Sequence, residues 1–291
     1  MEFILYKIGC FLGIHLPPFL AYPIGRTIGR IRYCCSPKLR AALKSNLKVV
    51  LTYKAAVEGV LYDPQTLRKT IRLVYRNFAI YLTEFFRIPL WDRKTVMKNV
   101  ELVGIEHLEK AFSAGRGVVV LTGHIGNWEL AGVVTSLLGY PMNAVALPFK
   151  NRKIARVFIE RRESKGVHVI LTGAGPKEIL RVFKNNEMVA VLGDRLFTEK
   201  GIEAMFMGRK TLLPRGPATL AVKTGARYLP GFLVRKNGKY QLIFEQLLEA
   251  PEHLSESERV QILVDKGAKV LEKYILMYPD QWLNFTPLWP T

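Results

Sequence analysis

The sequence is poor in the residues that build disulfide frameworks and metal clusters. Its 291 residues include three cysteines and five histidines. The cysteines, Cys10, Cys34 and Cys35, all lie near the N-terminus, and an odd number gives no disulfide framework. No cysteine–histidine group has the spacing of zinc ligands. We therefore expect a protein of a reducing compartment that holds no metal.

The sequence also lacks the signature of a protein nucleophile, since it contains no G-x-S-x-G segment. Internal repeats and low-complexity tracts are absent as well. A hydrophobic fraction of 49% and a charged fraction of 23% are typical of a globular chain with a buried core. The length suits one large α/β domain with an accessory segment, or two small domains.

Acidic residues are scarce beside basic ones, 24 against 43, which gives a net charge of +19. Such an excess indicates an anionic partner: nucleic acid, an anionic membrane surface or an acidic protein. Most of it lies between Arg26 and Lys98, where 16 lysines and arginines face four acidic residues. The basic stretch thus follows directly after an apolar N-terminus.

That N-terminus contains 18 residues without a formal charge, Ile8 to Gly25, the lower edge of the length that crosses a bilayer. Pro17 and Pro18 interrupt it and His15 adds a polar ring. A broken, re-entrant or shallow interfacial helix is therefore as good an interpretation as a crossing, and a buried soluble helix is the alternative to both. The positive-inside tendency predicts that the basic residues after it lie on the cytoplasmic side.

Helices are predicted first and an α/β pattern afterwards. Apolar side chains recur at helical intervals in 40–50 and 67–86, and a polar helix is predicted over 255–276. From Val100 onward, short apolar runs alternate with helix-like segments, at 117–123, 142–147, 166–171, 188–194, 228–234 and 240–245. Such runs are typical of a mostly parallel central sheet flanked by helices. We predict a membrane-associated segment over 1–35, a basic helical region over 36–98 that packs on the core, and an α/β core over 99–291.

The segment "GVVVLTGHIGNWEL", residues 117–130, contains the most informative histidine. A bare H-x-x-x-x-[DE] pattern is weak, and it occurs twice. His253 and Glu258 lie in a polar stretch typical of an exposed helix start. His124 instead follows an apolar strand and lies in a glycine-flanked turn, at the sheet edge where ligands bind in open α/β folds.

A histidine in this turn and an acid in the first turn of the next helix can act together. The Glu129 carboxylate can reach one imidazole nitrogen of His124 and fix its tautomer, so that the other nitrogen takes a proton from a substrate hydroxyl. The activated hydroxyl attacks an acyl carbonyl, and amides at the helix start can stabilise the oxyanion. From the pattern alone, a loop histidine capped by a nearby acid is the equal alternative.

"GHIGNWEL" resembles the signature of the lipid A biosynthesis acyltransferase family, within the lysophospholipid acyltransferase superfamily. The similarity continues in order through "RAALKSNL" (40–47), "RRESKG" (161–166), "LGDR" (192–195), "FMGRKTLLPRGPATLAVKTGARYLP" (206–230) and "YPDQWLNF" (278–285). The resemblance implies a glycerol-3-phosphate acyltransferase-like α/β fold. It also implies a protein at the cytoplasmic face of the bacterial inner membrane, anchored by its N-terminus or monotopic. It also implies acyl transfer from acyl carrier protein or coenzyme A to a glycolipid such as a lipid A precursor. No cofactor is expected beyond that thioester co-substrate.

Further residues match the family motifs. The resemblance implies that His124 is the base and Glu129 its partner, and that Asn127 and Trp128 shape the substrate pocket. It also implies that Arg162 holds an acceptor phosphate, although a solvated helix cation is the alternative.

Departures from the family pattern leave the acceptor open. Asp194 and Arg195 stand where lipid A enzymes often have Asp-Gln. The arginine, together with "RRESKG", is closer to the phosphatidylinositol mannoside acyltransferases of the same superfamily; a purely structural Asp-Arg pair is equally possible. A lysophospholipid or ornithine-type lipid is a further alternative. Arg209 and Arg215 are candidates for substrate binding, with Gly216 opening a helix whose amino end faces an anion. A plain strand–turn–helix is the alternative there.

Two other classes of function stay open from the sequence. A lipid-binding or scaffolding protein can use the same fold without catalysis. The high charge and the aromatic content also suit nucleic-acid binding, but no nucleic-acid-binding motif is recognisable. We therefore expect membrane and acyl-donor partners and no nucleic acid.

Overall fold

The computed structural model describes residues 2–146, 151–173, 176–197 and 201–289, without the side chains of Glu2 and Pro176. The helices of this described part are α1 Glu2–His15, α2 Pro18–Cys35, α3 Pro37–Glu58, α4 Pro64–Arg87, α5 Arg93–Asn99, α6 Ile105–Ser113, α7 Trp128–Leu137, α8 Arg152–Glu163, α9 Pro176–Lys184, α10 Gly216–Thr224 and α11 Glu256–Met277. Its strands are β1 Val100–Val103, β2 Val118–Thr122, β3 Met142–Ala146, β4 Val167–Leu171, β5 Met188–Leu192, β6 Gly201–Phe206, β7 Arg209–Pro214, β8 Arg227–Lys236 and β9 Lys239–Phe244.

Seven strands form one sheet in the order β1-β9-β8-β2-β5-β3-β4. The five strands from β8 to β4 are parallel, β9 is antiparallel to β8, and β1 is parallel to β9. Side chains of β2 alternate between two hydrophobic clusters, because Val119 and Leu121 join one and Val118 and Val120 the other. The prediction of a mostly parallel sheet flanked by helices is confirmed.

Each of the six predicted apolar runs overlaps a strand, and the helix predicted from residue 255 begins with Ser255 as its N-cap. Three strands were missed. β1 is a four-residue strand at the sheet edge, with alternating exposure. β6 and β7 form a separate antiparallel hairpin whose exposed face includes Met205 and Leu212. Neither environment produces a continuous apolar run.

The N-terminal segment is a broken helix, one of the alternatives that the sequence left open. α1 ends at His15, and α2 begins at Pro18 with Pro17 as its N-cap, where a missing amide donor costs nothing. In the described part of the chain, no helix combines the length and apolar character needed to cross a membrane.

α2 packs closely on α4 through small residues one turn apart. A Cβ on Gly25 would lie 2.3 Å from Thr83 Oγ1, and one on Gly29 would lie 2.8 Å from the Ala79 Cβ. The outward faces of α1 and α2 carry large exposed apolar side chains, Ile4, Leu5, Ile8, Phe11, Phe19, Leu20, Ile24, Ile28 and Ile31. We call these nine residues the apolar face.

The turn after β2 is held against β8. Gly126 has a φ of +64°, and a Cβ there would lie 2.0 Å from the Leu233 carbonyl oxygen. The Gly126 amide donates to the Gln281 carbonyl and the Asn127 amide to the Leu233 carbonyl, both at 2.9 Å. Only glycine allows this close approach.

Substitution of Gly126 by alanine is expected to destabilise the protein more than the same change at Gly59. Gly59 has a similar φ, +67°, but nothing lies within 4 Å of its Cβ position. Gly59→Ala therefore incurs only the left-handed strain, roughly 1 kcal/mol, whereas Gly126→Ala adds a backbone clash and at least about 2 kcal/mol more. Chemical denaturation of both variants measures the difference. Equal losses would show that β8 does not constrain the turn.

Candidate active site

His124 is paired with Asp194. Both residues follow strands that are adjacent and parallel, β2 and β5. Both therefore lie at the carboxyl ends of the parallel strands. His124 Nδ1 lies 2.7 Å from Asp194 Oδ1, and the two residues are 5% and 0% exposed. The expected contact between Glu129 and His124 is not found: Asp194 pairs with the imidazole, and both carboxylate oxygens of Glu129 accept from Arg162.

The Asp194 carboxylate is held in its ionised form. Burial opposes ionisation, but His124 and the Trp282 indole N–H, which donates to Oδ2 at 2.9 Å, together lower the pKa of Asp194. An ionised carboxylate only accepts hydrogen bonds, so the proton between the two groups lies on His124 Nδ1. In the neutral form of this imidazole, the other nitrogen, Nε2, carries the lone pair.

Aromatic rings pack against the imidazole. The Trp128 ring meets it edge-on with 4.9 Å between centroids, and the Phe197 ring lies at 5.9 Å. Trp128 in turn stacks on Tyr81 of α4 at 4.5 Å. The imidazole therefore lies against aromatic rings, where electrostatic interactions are stronger than in water.

Glu129 is paired with Arg162 of α8 and not with His124. Arg162 Nε and Nη2 donate to the two carboxylate oxygens at 2.7 and 2.6 Å, a bidentate arrangement. Burial lowers the pKa of Arg162 but Glu129 raises it by more, so the guanidinium stays charged. Burial and the neighbouring Glu129 raise the pKa of Tyr81 as well. In the first turn of α7, Glu129 faces α8 and α4, so its carboxylate holds these helices together.

A buried network around Glu84 was not predicted. Asn127 caps α7, since its Oδ1 accepts from the Leu130 amide at 3.0 Å. Its Nδ2 donates to Glu84 Oε2 at 2.8 Å, and the other Glu84 oxygen accepts from Arg235 and Tyr240.

Burial raises the pKa of Glu84 to about 7, although Arg235 and Asn127 oppose the shift. The sequence signal for this network is an acid inside the apolar stretch "YLTEFF", residues 81–86. A lone acid on an apolar helix face indicates a buried partner.

Arg195 points from the strand end toward the C-terminal segment. Its Nη1 donates to Thr286 Oγ1 at 3.0 Å and lies 3.4 Å from Asn284 Oδ1, while its guanidinium lies 4.7 Å from the Phe197 ring centroid. Burial lowers the pKa of Arg195, partly offset by Asp194. Arg195 thus contacts the wall of the site, and its role toward a substrate stays a prediction.

Arg209 and Arg215 are exposed, the first opening β7 and the second at the N-cap of α10. Gly216 begins α10, the helix that precedes β8 in the chain. Among the described residues, no side-chain hydrogen bond joins either arginine to His124 or Asp194. Anion binding by these three residues and by Arg162 stays a prediction.

Comparison with known proteins agrees with this architecture. A model of the bacterial lipid A biosynthesis acyltransferase family matches residues 2–291. A phosphatidylinositol mannoside acyltransferase of Mycolicibacterium smegmatis is 32% identical, over 75% of this chain and 72% of that protein.

Two further relatives are named for lipid A biosynthesis. A palmitoleoyltransferase of Escherichia coli is 24% identical over 94% of this chain and 85% of that protein. An acyltransferase of Haemophilus influenzae is 22% identical over 73% of this chain and 67% of that protein. With a family match along nearly the whole chain, this protein belongs to the bacterial lipid A biosynthesis acyltransferase family and is an acyltransferase.

Proposed function

We propose that this protein transfers a fatty acyl chain from acyl carrier protein or coenzyme A to a hydroxyl group of a glycolipid at a membrane surface. The observation that carries the proposal is the contact between His124 Nδ1 and the buried Asp194 carboxylate. It leaves Nε2 of the same ring as a base beside an apolar wall. The names of the relatives, which refer to phosphatidylinositol mannoside and lipid A, support a glycolipid acceptor.

The reaction needs one base and no covalent enzyme intermediate. His124 Nε2 takes the proton of the acceptor hydroxyl as its oxygen attacks the thioester carbonyl carbon. Asp194 stabilises the imidazolium that forms. When the tetrahedral intermediate collapses, the carbon–sulfur bond breaks and the thiolate takes the proton from Nε2. The products are an ester and a free thiol, and His124 returns to its starting form.

The start of α7 supplies the oxyanion stabilisation in this proposal. The Leu130 amide is used by the Asn127 side chain, whereas the Trp128 and Glu129 amides, one turn from His124, have no acceptor among the described residues. Free first-turn amides at the positive end of the helix dipole favour a developing oxyanion. Trp128 and Phe197 exclude water from the base, which protects the thioester from hydrolysis.

The acceptor we favour is a phosphatidylinositol mannoside-type lipid, with a lipid A precursor as the second candidate. The specific observation is identity: 32% to the phosphatidylinositol mannoside acyltransferase against 24% to the lipid A palmitoleoyltransferase. Asp194 followed by Arg195 agrees with this preference. Incubation of the purified protein with labelled acyl donor and either lipid decides between them.

Membrane attachment in this proposal is monotopic, on the cytoplasmic face of the inner membrane. The apolar face is nine exposed side chains on two helices, neither of which can span a bilayer. Arg26, Arg30 and Arg32 lie on α2 beside it. Shallow insertion of an apolar helix face, with basic residues on anionic headgroups, is typical of interfacial helices.

Removal of the base or its partner is expected to abolish most activity. His124→Ala should lower kcat by about 10²- to 10⁴-fold, and Asp194→Asn by a similar factor because an amide favours the wrong imidazole tautomer. The matched control is His253→Ala, since exposed His253 has the same spacing to an acid. Acyl transfer by folded variants is the measurement. Full activity of His124→Ala would refute the mechanism.

Glu129 and Arg162 are expected to behave as a pair. Glu129→Gln or Arg162→Met alone leaves a buried charge without its partner, which costs about 3–5 kcal/mol. The double variant should recover part of that stability and of the lost activity. Denaturation and kcat of all four proteins give the coupling. If Glu129 acted on His124 instead, Glu129→Gln would lower the activity and leave the stability unchanged, and Arg162→Met would stay active.

A further inference from the structure

A cavity of about 160 Å³ lies between α1 and α8, outside the site described above. Its lining consists of Lys7, Cys10, Val157, Glu160, Arg161 and Ser164. Cys10 and Val157 are buried and form an apolar floor. The helices are joined beside it by the Tyr6 and Phe158 rings, 5.8 Å apart. The proposed acyl transfer uses none of the lining residues.

The charge of the cavity lining is positive, since Lys7 and Arg161 outnumber its one acidic residue, Glu160. Glu160 is paired with Arg156, one turn away on α8, at 2.8 Å. Neither Lys7 nor Arg161 has an ion pair within the described ranges. The Lys7 ammonium lies 5.8 Å from the Phe3 ring centroid, and Lys153 approaches the same ring at 5.7 Å. Lys7 and Arg161 are therefore the two cations that line the cavity, and a phosphate suits a lysine with an arginine fork.

The cavity opens at the border of the apolar face. Lys7 lies three residues after Ile4 and four before Phe11, so the three share one side of α1. Ile4 and Phe11 are 60% and 62% exposed, whereas Cys10, three residues after Lys7, is 6% exposed. With the apolar face in a bilayer, this border lies at the depth of the headgroup phosphates.

We propose that the cavity between α1 and α8 binds the phosphate of an anionic membrane phospholipid, held by Lys7 and Arg161. Beside the mouth of the cavity, the exposed side chains of Ile4, Ile8 and Phe11 provide an apolar surface for the acyl chains of the phospholipid. This surface favours a phospholipid over free phosphate, which has no acyl chains. The inference rests on the proposed placement of the apolar face at a membrane. Arg161 is also next to Arg162, the partner of Glu129, so an occupied cavity lies one residue from the active-site ion pair.

Vesicle binding by the His124→Ala protein tests the site without acyl transfer. The site variant is Lys7→Gln with Arg161→Gln, and the matched control is Lys177→Gln with Lys184→Gln, two exposed cations of α9. A basic residue near an anionic surface contributes about fivefold in affinity. With phosphatidylcholine vesicles containing phosphatidylglycerol, the site variant should bind roughly 25-fold more weakly than the parent protein, and the control less than about threefold. Equal losses would show diffuse charge attraction and overturn the proposal.

Cys10 reports on the cavity itself. Soluble short-chain phosphatidylglycerol should slow its alkylation by a maleimide at least about threefold, as read by mass spectrometry, while the exposed Cys34 stays unchanged. The site variant should show no such protection. Protection by inorganic phosphate alone at the same concentration would contradict a phospholipid site, as would protection retained in the site variant. Alkylation of Cys10 needs no bilayer, so it tests phospholipid binding in the cavity independently of the proposed membrane placement. Binding of the protein to phosphatidylcholine vesicles tests the membrane placement.

Discussion

The site depends on keeping one fully buried carboxylate ionised. Asp194 has no exposed surface, and an unpaired carboxylate in that position would take up a proton. Two donors prevent this, His124 Nδ1 and Trp282 Nε1. They come from distant parts of the chain, since His124 follows β2 and Trp282 lies near the C-terminus. The Leu283 amide also donates to the His124 carbonyl at 2.7 Å. The C-terminal segment is therefore part of the candidate active site.

Two further buried ionic groups hold α7, the helix that follows His124. The Glu129–Arg162 pair connects α7 to α8, and the Glu84 network connects its N-cap residue Asn127 to α4 and β8. Buried ion pairs contribute little net stability compared with apolar packing, so their value lies in fixing one arrangement. Here that arrangement sets the position of Trp128 against the imidazole. An acyl transfer base gains from such rigidity, because misplacement by about 1 Å can cost 100-fold in rate.

Much of the fold was predictable because its signals are local. Buried parallel strands such as β2 and β5 produce continuous apolar runs, and Pro18 and Pro64 mark helix starts. The position of His124 at a strand end was predictable for the same reason. The ordered series of motifs also identified the family, which the match along residues 2–291 shows.

The partner of His124 was not predictable from spacing. Glu129 is close in sequence and within reach of a histidine in the preceding turn. Asp194 is 70 residues away and becomes the neighbour only because β5 inserts beside β2 in the sheet order. Strand order is set by packing of the whole domain, and five-residue spacing carries no information about it. The Glu84 network was not predicted for the same reason, because Asn127, Arg235 and Tyr240 reach Glu84 from other segments of the chain.

The tautomer of His124 is the most direct test of this account. Nitrogen-15 NMR of the protein labelled at histidine, near neutral pH, distinguishes a protonated from an unprotonated ring nitrogen. The account predicts a proton on Nδ1 and a bare Nε2, reversed when Asp194 is replaced by asparagine. A proton on Nε2 in the unaltered protein, or a tautomer indifferent to Asp194, would contradict it.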